Sequence, residues 1–437
     1  MSSATPAASI GIDFGTSNTV VAIATPDGAV ESLRFEHGGI AHGVYASALC
    51  FWQDRPGSAV PAKVEGGPWA IERMLEESHS LRYIQSFKTF AASESFQQTT
   101  IFREKMRFED LLATFLRTLM RHAGHQLDLK GARIAIGRPV RFAGANPNEP
   151  LAIERYQAGL GQVGITDPRY VYEPVGAAFS FARTLTRDAT VLVADFGGGT
   201  SDFSVMRFWR HAGVLKAEPL GHSGLGVAGD TFDSRIVERV VAPRLGKGGR
   251  YRSFGKVLPL PVHYYTTLAR WNELALMKGS ADLRELRELA RTALEPAPLE
   301  DFIALVEHDL GFALSRAVSA TKVALSGTDQ AEFRFKQDGI DIVAPIARTD
   351  FESWIADDLA KISGAVDQVL AKSKLGPEAI ERVFLTGGTS FVPAVQNLFA
   401  ARFGAEKLAS ADQFESIAKG LALIGQTEHP ERWAVAA

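Results

Sequence analysis

Cysteine is nearly absent: one residue, Cys50, in 437. A lone thiol can form no internal disulfide and no thiolate zinc site. Cys50 lies in the largely apolar run Ala46–Phe51, which predicts a buried structural thiol. No apolar run approaches the roughly 18 residues that span a membrane. The opening Met-Ser-Ser-Ala-Thr-Pro has no basic region followed by an apolar stretch, so no secretory leader is expected. A dominant charge is missing too. Lys and Arg total 47 against 50 Asp and Glu, a net charge of −3. The chain therefore has no global field to draw in nucleic acid or an anionic membrane. There is no Gly-x-x-x-x-Gly-Lys-Ser/Thr phosphate loop. The expectation is a cytoplasmic protein that binds neither nucleic acid nor membrane.

What is present is the makings of a large core. Hydrophobic residues are 46% and charged residues 22% of the chain, a folded composition. At roughly 150 residues per domain the length allows about three units, or two large lobes. Two segments form a pair: 10–23, containing Asp13-Phe-Gly-Thr-Ser-Asn18, and 191–206, containing Asp195-Phe-Gly-Gly-Gly-Thr-Ser-Asp202. Each is a β-rich run, a turn of glycine and small hydroxyls, then a second β-rich run, which predicts a hairpin. The separation of 182 positions between Asp13 and Asp195 is too long for a solenoid repeat and fits two related lobes.

The chemistry these turns suit is phosphate binding. Gly15, Gly197, Gly198 and Gly199 allow close backbone approach, and backbone N–H groups with Thr16, Ser17 and Asn18 can donate to phosphate oxygens. Asp13, Asp195 and Asp202 would repel a bare phosphate, but they suit a Mg²⁺ lying between carboxylate and phosphate. A third piece, Val383-Phe-Leu-Thr-Gly-Gly-Thr-Ser, is a strand running through Gly387 and Gly388 toward a helix. Gly224-Leu-Gly-Val-Ala-Gly229 matches a dinucleotide fingerprint, but no second strand with a ribose-binding acid is evident after it. The stretch 243–262 is rich in Gly, Pro and basic residues and reads as a loose excursion. Apolar residues at helical spacing predict helices over 108–123 and 281–293, and 132–139 and 383–388 read as buried strands.

The order of these motifs, with Tyr172-Glu-Pro-Val-Gly-Ala-Ala and Gly-Asp-Thr-Phe-Asp233 between them, resembles the ATPase domain of DnaK-type heat-shock chaperones across roughly 10–425. The resemblance implies an α/β fold of two actin-like lobes with a nucleotide cleft between them, each with a smaller outer subdomain. Lobe I would be residues 1–186 (outer part about 40–107) completed by 408–437, and lobe II 187–407 (outer part about 230–350). It implies ATP or ADP, Mg²⁺ and a monovalent cation such as K⁺ as ligands. By that resemblance Lys88 reaches the γ-phosphate, and Glu173, Asp195 and Thr200 orient water. Asp13, Asp195 and Asp202 hold the metal. Gly226, Lys322, Ser326, Gly387, Gly388 and Thr389 line the nucleoside side, with Phe391 where the family has an arginine. Ser319 and Val323 replace the family's charged neighbours of the base.

The family continues into a peptide-binding β-sandwich and lid, whereas this chain reaches Ala437 soon after Gly425. The expectation is a free-standing nucleotide domain of the shortened YegD-like branch. It would be a slow Mg²⁺-dependent ATPase switch acting through a protein partner or client. A small-molecule kinase and an actin-like filament protein share the fold and are the alternatives.

Overall fold

The computed structural model describes residues 8–435 except 56, 58–59, 77–80, 145, 212–213, 271–273, 275–276, 279 and 411–414. Its contacts divide the chain into two compact units: 1–228 with 361–390 and 395–437, and 229–360 with 391–394.

The first unit holds two sheets built on one plan. In the first, β1 (Ser9–Phe14), β2 (Asn18–Ala24) and β3 (Val30–Ser32) form an antiparallel meander. On the other side of β1 lie β4 (Arg133–Arg138) and then β5 (Arg169–Tyr172), both parallel to it. In the second, β6 (Ala189–Phe196), β7 (Ser201–His211) and β8 (Val214–Leu225) form the meander, and β9 (Arg382–Thr386) and β10 (Leu408–Ser410) add in parallel beside β6. The paired Asp-Phe-Gly segments thus end the first strand of each sheet. Val191–Ala194, Val383 and Phe384 are fully buried, as expected for strands covered on both faces.

Helices cover these sheets. α1 (Phe108–Ala123) buries Leu111, Leu112, Phe115, Leu116 and Leu119 at helical spacing, with Arg117 and Arg121 outward. α2 (Glu173–Ala182) follows β5 directly. The helix Ser416–Gly425 packs on β1 and α2. Its approach depends on glycine: a Cβ on Gly420 would lie 1.7 Å from the Gly176 carbonyl oxygen, and one on Gly11 would lie 2.2 Å from that of Ala418. Cys50 is fully buried in the strand Ala48–Trp52.

The second unit contains α3 (Gly229–Ile236), α4 (Gly311–Gly327), the predicted amphipathic helix at Ala281–Thr292, and a hairpin of Gln330–Gln337 with Ile340–Ala347. The stretch 243–262 departs from its expected looseness. It contains a regular hairpin, Arg250–Ser253 with Lys256–Pro259. Its two-residue turn is Phe254-Gly255, with φ of 46° and 75°. Asn-Gly or Asp-Gly announces such a turn in a sequence; Phe-Gly conceals it.

Candidate phosphate and metal site

Strand alternation sets the site. Asp13 and Phe14 point to opposite faces of β1. Phe14 enters an aromatic core, 5.5 Å from the Phe87 ring and 5.6 Å from that of Phe115. Phe196 does the same on β6, 5.9 Å from both Phe203 and Phe399. Each ring anchors its strand and turns the neighbouring aspartate to the site. A Cβ on Gly15 would lie 2.3 Å from the Asn18 carbonyl oxygen, so this turn requires glycine. The Ser47 hydroxyl braces it by donating to the Gly15 carbonyl over 2.7 Å, while the Ser47 N–H donates to the Ser17 carbonyl over 2.9 Å. The second turn closes through the Gly197 N–H and the Thr200 carbonyl at 2.9 Å. The two turns face each other: a Cβ on Gly199 would stand 3.6 Å from the Thr16 hydroxyl oxygen.

Lys88 sits in the 3₁₀ turn Phe87–Phe90, entered through Ser86 in the left-handed region at φ 56°. Backbone strain of this kind concentrates where a side chain must be aimed. The Lys88 ammonium donates to Glu173 Oε1 over 2.7 Å, with the two side chains 8% and 7% exposed. Glu173 opens α2, and Gly137 makes room for it, since a Cβ there would be 3.1 Å from Glu173 Cγ.

Asp195 and Asp202 stand directly opposite on β6 and β7. Like charges in such cross-strand positions are destabilising, so a pair kept there points to a ligand. Asp202 Oδ1 accepts from the Val140 N–H at 2.8 Å and the Arg141 N–H at 3.3 Å. Gly224, opposite Asp202 on β8, leaves space for this carboxylate; a Cβ would lie 2.4 Å from Oδ1. Asp202 Oδ2 is buried with no hydrogen-bond partner among the described residues.

The electrostatics agree with the geometry. Burial, then the charge of Glu173, pushes the Asp13 and Asp202 carboxyls up to about 7. Burial, Glu173, Asp13 and Asp202 raise Asp195 well above the usual carboxylate range. Burial alone would lower the Lys88 pKa, but Glu173, Tyr156 and Asp13 outweigh it, and the ammonium is held charged. Three crowded carboxylates, one with an orphaned oxygen, fit a divalent cation. Among the described residues no group of three or more His, Cys, Asp or Glu is placed to hold a metal ion, so phosphate oxygens and waters would have to complete any Mg²⁺ shell here.

Gly387, at φ 82°, lies where β9 runs against β6; a Cβ would be 2.0 Å from the Phe196 carbonyl oxygen. Beside Gly388 there is open space, and Thr389 is buried. Gly226 comes just after the end of β8. Lys322 and Ser326 belong to the second unit, one turn apart on α4, with Ser319 and Val323 at adjoining helical positions. Lys322 donates to Asp233 Oδ2 at 2.9 Å and to the Gly229 carbonyl at 3.2 Å. Val323 and Phe391 are 66% and 49% exposed. The first unit thus brings together Asp13, the turn 15–18, Lys88, Glu173, Asp195, 197–200 and Asp202. Sequence reasoning missed Ser47, Gly137, Gly224 and the Val140–Arg141 N–H groups. A glycine inside a strand-like run signals Gly137, and Gly224 was visible only as the start of the Gly224–Gly229 fingerprint.

Repeated sheet topology with paired Asp-Phe-Gly turns defines an α/β protein of the two-lobe, actin-like class. The family model described as Hsp70 protein matches residues 80–247 and 309–434. The chain belongs to the Hsp70 family. It is 26% identical over 419 residues to the chaperone protein DnaK of Thermotoga petrophila, which covers 95% of this chain and 58% of that relative. It is 24% identical over 431 residues to a DnaK of Thermus thermophilus, covering 95% and 60%. The chain therefore spans under two thirds of the length of these curated relatives. No helix among the described residues is long and apolar enough to cross a membrane.

Proposed function

We propose that this protein is a Mg²⁺-dependent ATP-binding switch that hydrolyses ATP slowly and acts through a protein partner, in the manner of a YegD-like relative of the DnaK chaperones. The observation that carries the reading is the buried Lys88–Glu173 pair set beside Asp13, Asp195 and Asp202 and the two facing turns. Phosphoryl transfer asks a protein for positioning and charge neutralisation rather than covalent chemistry. The turns 15–18 and 197–200 supply N–H and hydroxyl donors for phosphate oxygens. Asp13, Asp195 and Asp202 would hold Mg²⁺ and its waters, which supply charge neutralisation when bound. Lys88, kept charged and fixed by Glu173, stabilises charge developing on the terminal phosphate. Glu173, Asp195 and Thr200 orient the attacking water, and K⁺ would occupy carboxylate positions left by Mg²⁺. In the first unit, Gly226, Gly387, Gly388 and Thr389 would receive the nucleoside.

The test is phosphate release from ATP with and without Mg²⁺, on the parent chain and Asp195→Asn. Asn preserves shape, so the fold should survive while Mg²⁺-dependent turnover falls by about tenfold or more, roughly 1.4 kcal/mol in barrier. Parent-like turnover would remove Asp195 from the mechanism. Release of a phosphorylated metabolite instead of free phosphate would make the protein a kinase.

A further inference from the structure

The basic stretch is not used by the nucleotide site, and its backbone is strained without an internal reward. Residues 243–262 carry five cations, Arg244, Lys247, Arg250, Arg252 and Lys256, and no acidic residue, in a chain of net charge −3. The hairpin within it turns through Phe254 and Gly255, both at positive φ. That is a type I′ arrangement, which selects Asn, Asp or Gly at its first position. An aromatic residue there is held in a strained backbone. Phe254 gains no packing in exchange, because it is 103% exposed.

The surroundings of the ring are apolar and cationic. Every residue of Lys256–Pro259 is exposed. Arg252 pairs with Val257 and Arg250 with Pro259, so these four share one face. Val257 and Val262 are 49% and 64% exposed. The inner strand is tied down: the Leu294 N–H donates to the Arg250 carbonyl over 2.8 Å. On the outer strand Pro259 offers no donor, which blunts that edge against strand addition. What remains on offer is the convex tip. The hairpin's other aromatic, Tyr251, pairs with Leu258 on the face opposite Arg252 and Val257 and is partly buried, so the exposed face carries no second ring on which nucleobases would stack. A ring and aliphatics projecting amid cations match the interface of an anionic bilayer, where apolar groups enter the headgroup boundary and Lys or Arg meet lipid phosphates.

We propose that the 250–259 hairpin is a reversible anchor to anionic phospholipid surfaces, with Phe254 and Val257 inserting and Arg250, Arg252 and Lys256 on the headgroups. Neither a spanning segment nor a high net charge is needed, since a local island of charge acts within a Debye length of about 8–10 Å. The test is co-sedimentation of the full chain with vesicles of about three parts phosphatidylglycerol to seven of phosphatidylcholine, against pure phosphatidylcholine, at roughly 0.1 and 0.5 M salt. Binding is expected to the anionic vesicles only, and weaker at high salt. Phe254→Asn installs a residue the turn prefers, so it should melt at or above the parent temperature while its vesicle partition falls at least about tenfold. Arg250→Glu with Arg252→Glu should abolish partition. The proposal is overturned if anionic vesicles bind no protein, or if Phe254→Asn binds them like the parent, which would be adsorption by charge alone. It is also overturned if a fluorescent single-stranded oligonucleotide binds through Phe254 and vesicles do not.

Discussion

Removing Lys88 should separate a structural charge from a catalytic one. Its ammonium and the Glu173 carboxylate are 2.7 Å apart, with both side chains more than nine-tenths buried. Lys88→Ala leaves Glu173 buried without its cation, beside Asp13 and Asp195, and breaking a buried pair from one side costs about 3–5 kcal/mol. In a unit of this size that lowers the melting temperature by roughly 5–8 °C. Lys88→Met combined with Glu173→Gln removes both charges and should recover most of the loss, because a buried pair replaced as a whole is often close to neutral. Single-turnover ATP hydrolysis should behave differently. It should fall roughly a hundredfold, about 2.7 kcal/mol, in the single variant and stay low in the double variant. ADP affinity should move by less than about threefold, under roughly 0.7 kcal/mol. Thermal melts, rapid-quench hydrolysis and ADP calorimetry on the three proteins decide it. A Lys88→Ala protein that melts and hydrolyses like the parent would refute the buried pair and its role together. Restored hydrolysis in the double variant would show that Lys88 only neutralises Glu173.

The same site sets three further outcomes. Folded Asp13 and Asp202 bind protons more tightly than in the unfolded chain, so the stability they confer is fully present below the ordinary carboxylate value of 3.8 and is lost as pH rises through about 7. The metal-free protein should therefore melt lower at pH 8 than at pH 5, and Mg²⁺ affinity by calorimetry should rise across the same interval as protons leave. Gly224→Ala, whose Cβ would stand 2.4 Å from Asp202 Oδ1, should displace that carboxylate and weaken Mg²⁺-dependent turnover by about tenfold or more; unchanged turnover would exclude Asp202 from the metal. With Ser319, Val323 and Phe391 near the expected base, lacking charged partners worth about 1–3 kcal/mol, competition titrations should show ATP and GTP binding within about tenfold of each other.

Much of this fold was legible because it is repeated. Asp-Phe-Gly occurs twice, and alternation forces the same outcome each time: ring to the core, carboxylate to the site. The helix at 108–123 was equally plain, its apolar face being unbroken. The site residues drawn from far apart were less visible. Lys88 looks like any surface lysine until the turn through Ser86 buries it against Glu173, which lies 85 positions away. Ser47 acts by bracing the first turn, a role that leaves no motif, and Gly224 sits in a fingerprint that points to a different chemistry. The Phe254 hairpin stayed hidden because its turn breaks the rule by which hairpins are read.

The glycine-mediated seat of Ser416–Gly425 on β1 has a consequence for how the protein is made. The Ser9 hydroxyl, near the start of the chain, donates to the Ala422 carbonyl, 413 positions later. At about 5–20 residues per second, ribosomes take roughly 20–80 seconds to go from one to the other. Throughout that time the first strand has emerged and its covering helix has not been synthesised. The first sheet must then wait with a face bare, a ready target for holding factors and for aggregation, and a nascent chain stalled before residue 416 should stay protease-sensitive in residues 9–24 however long it is given.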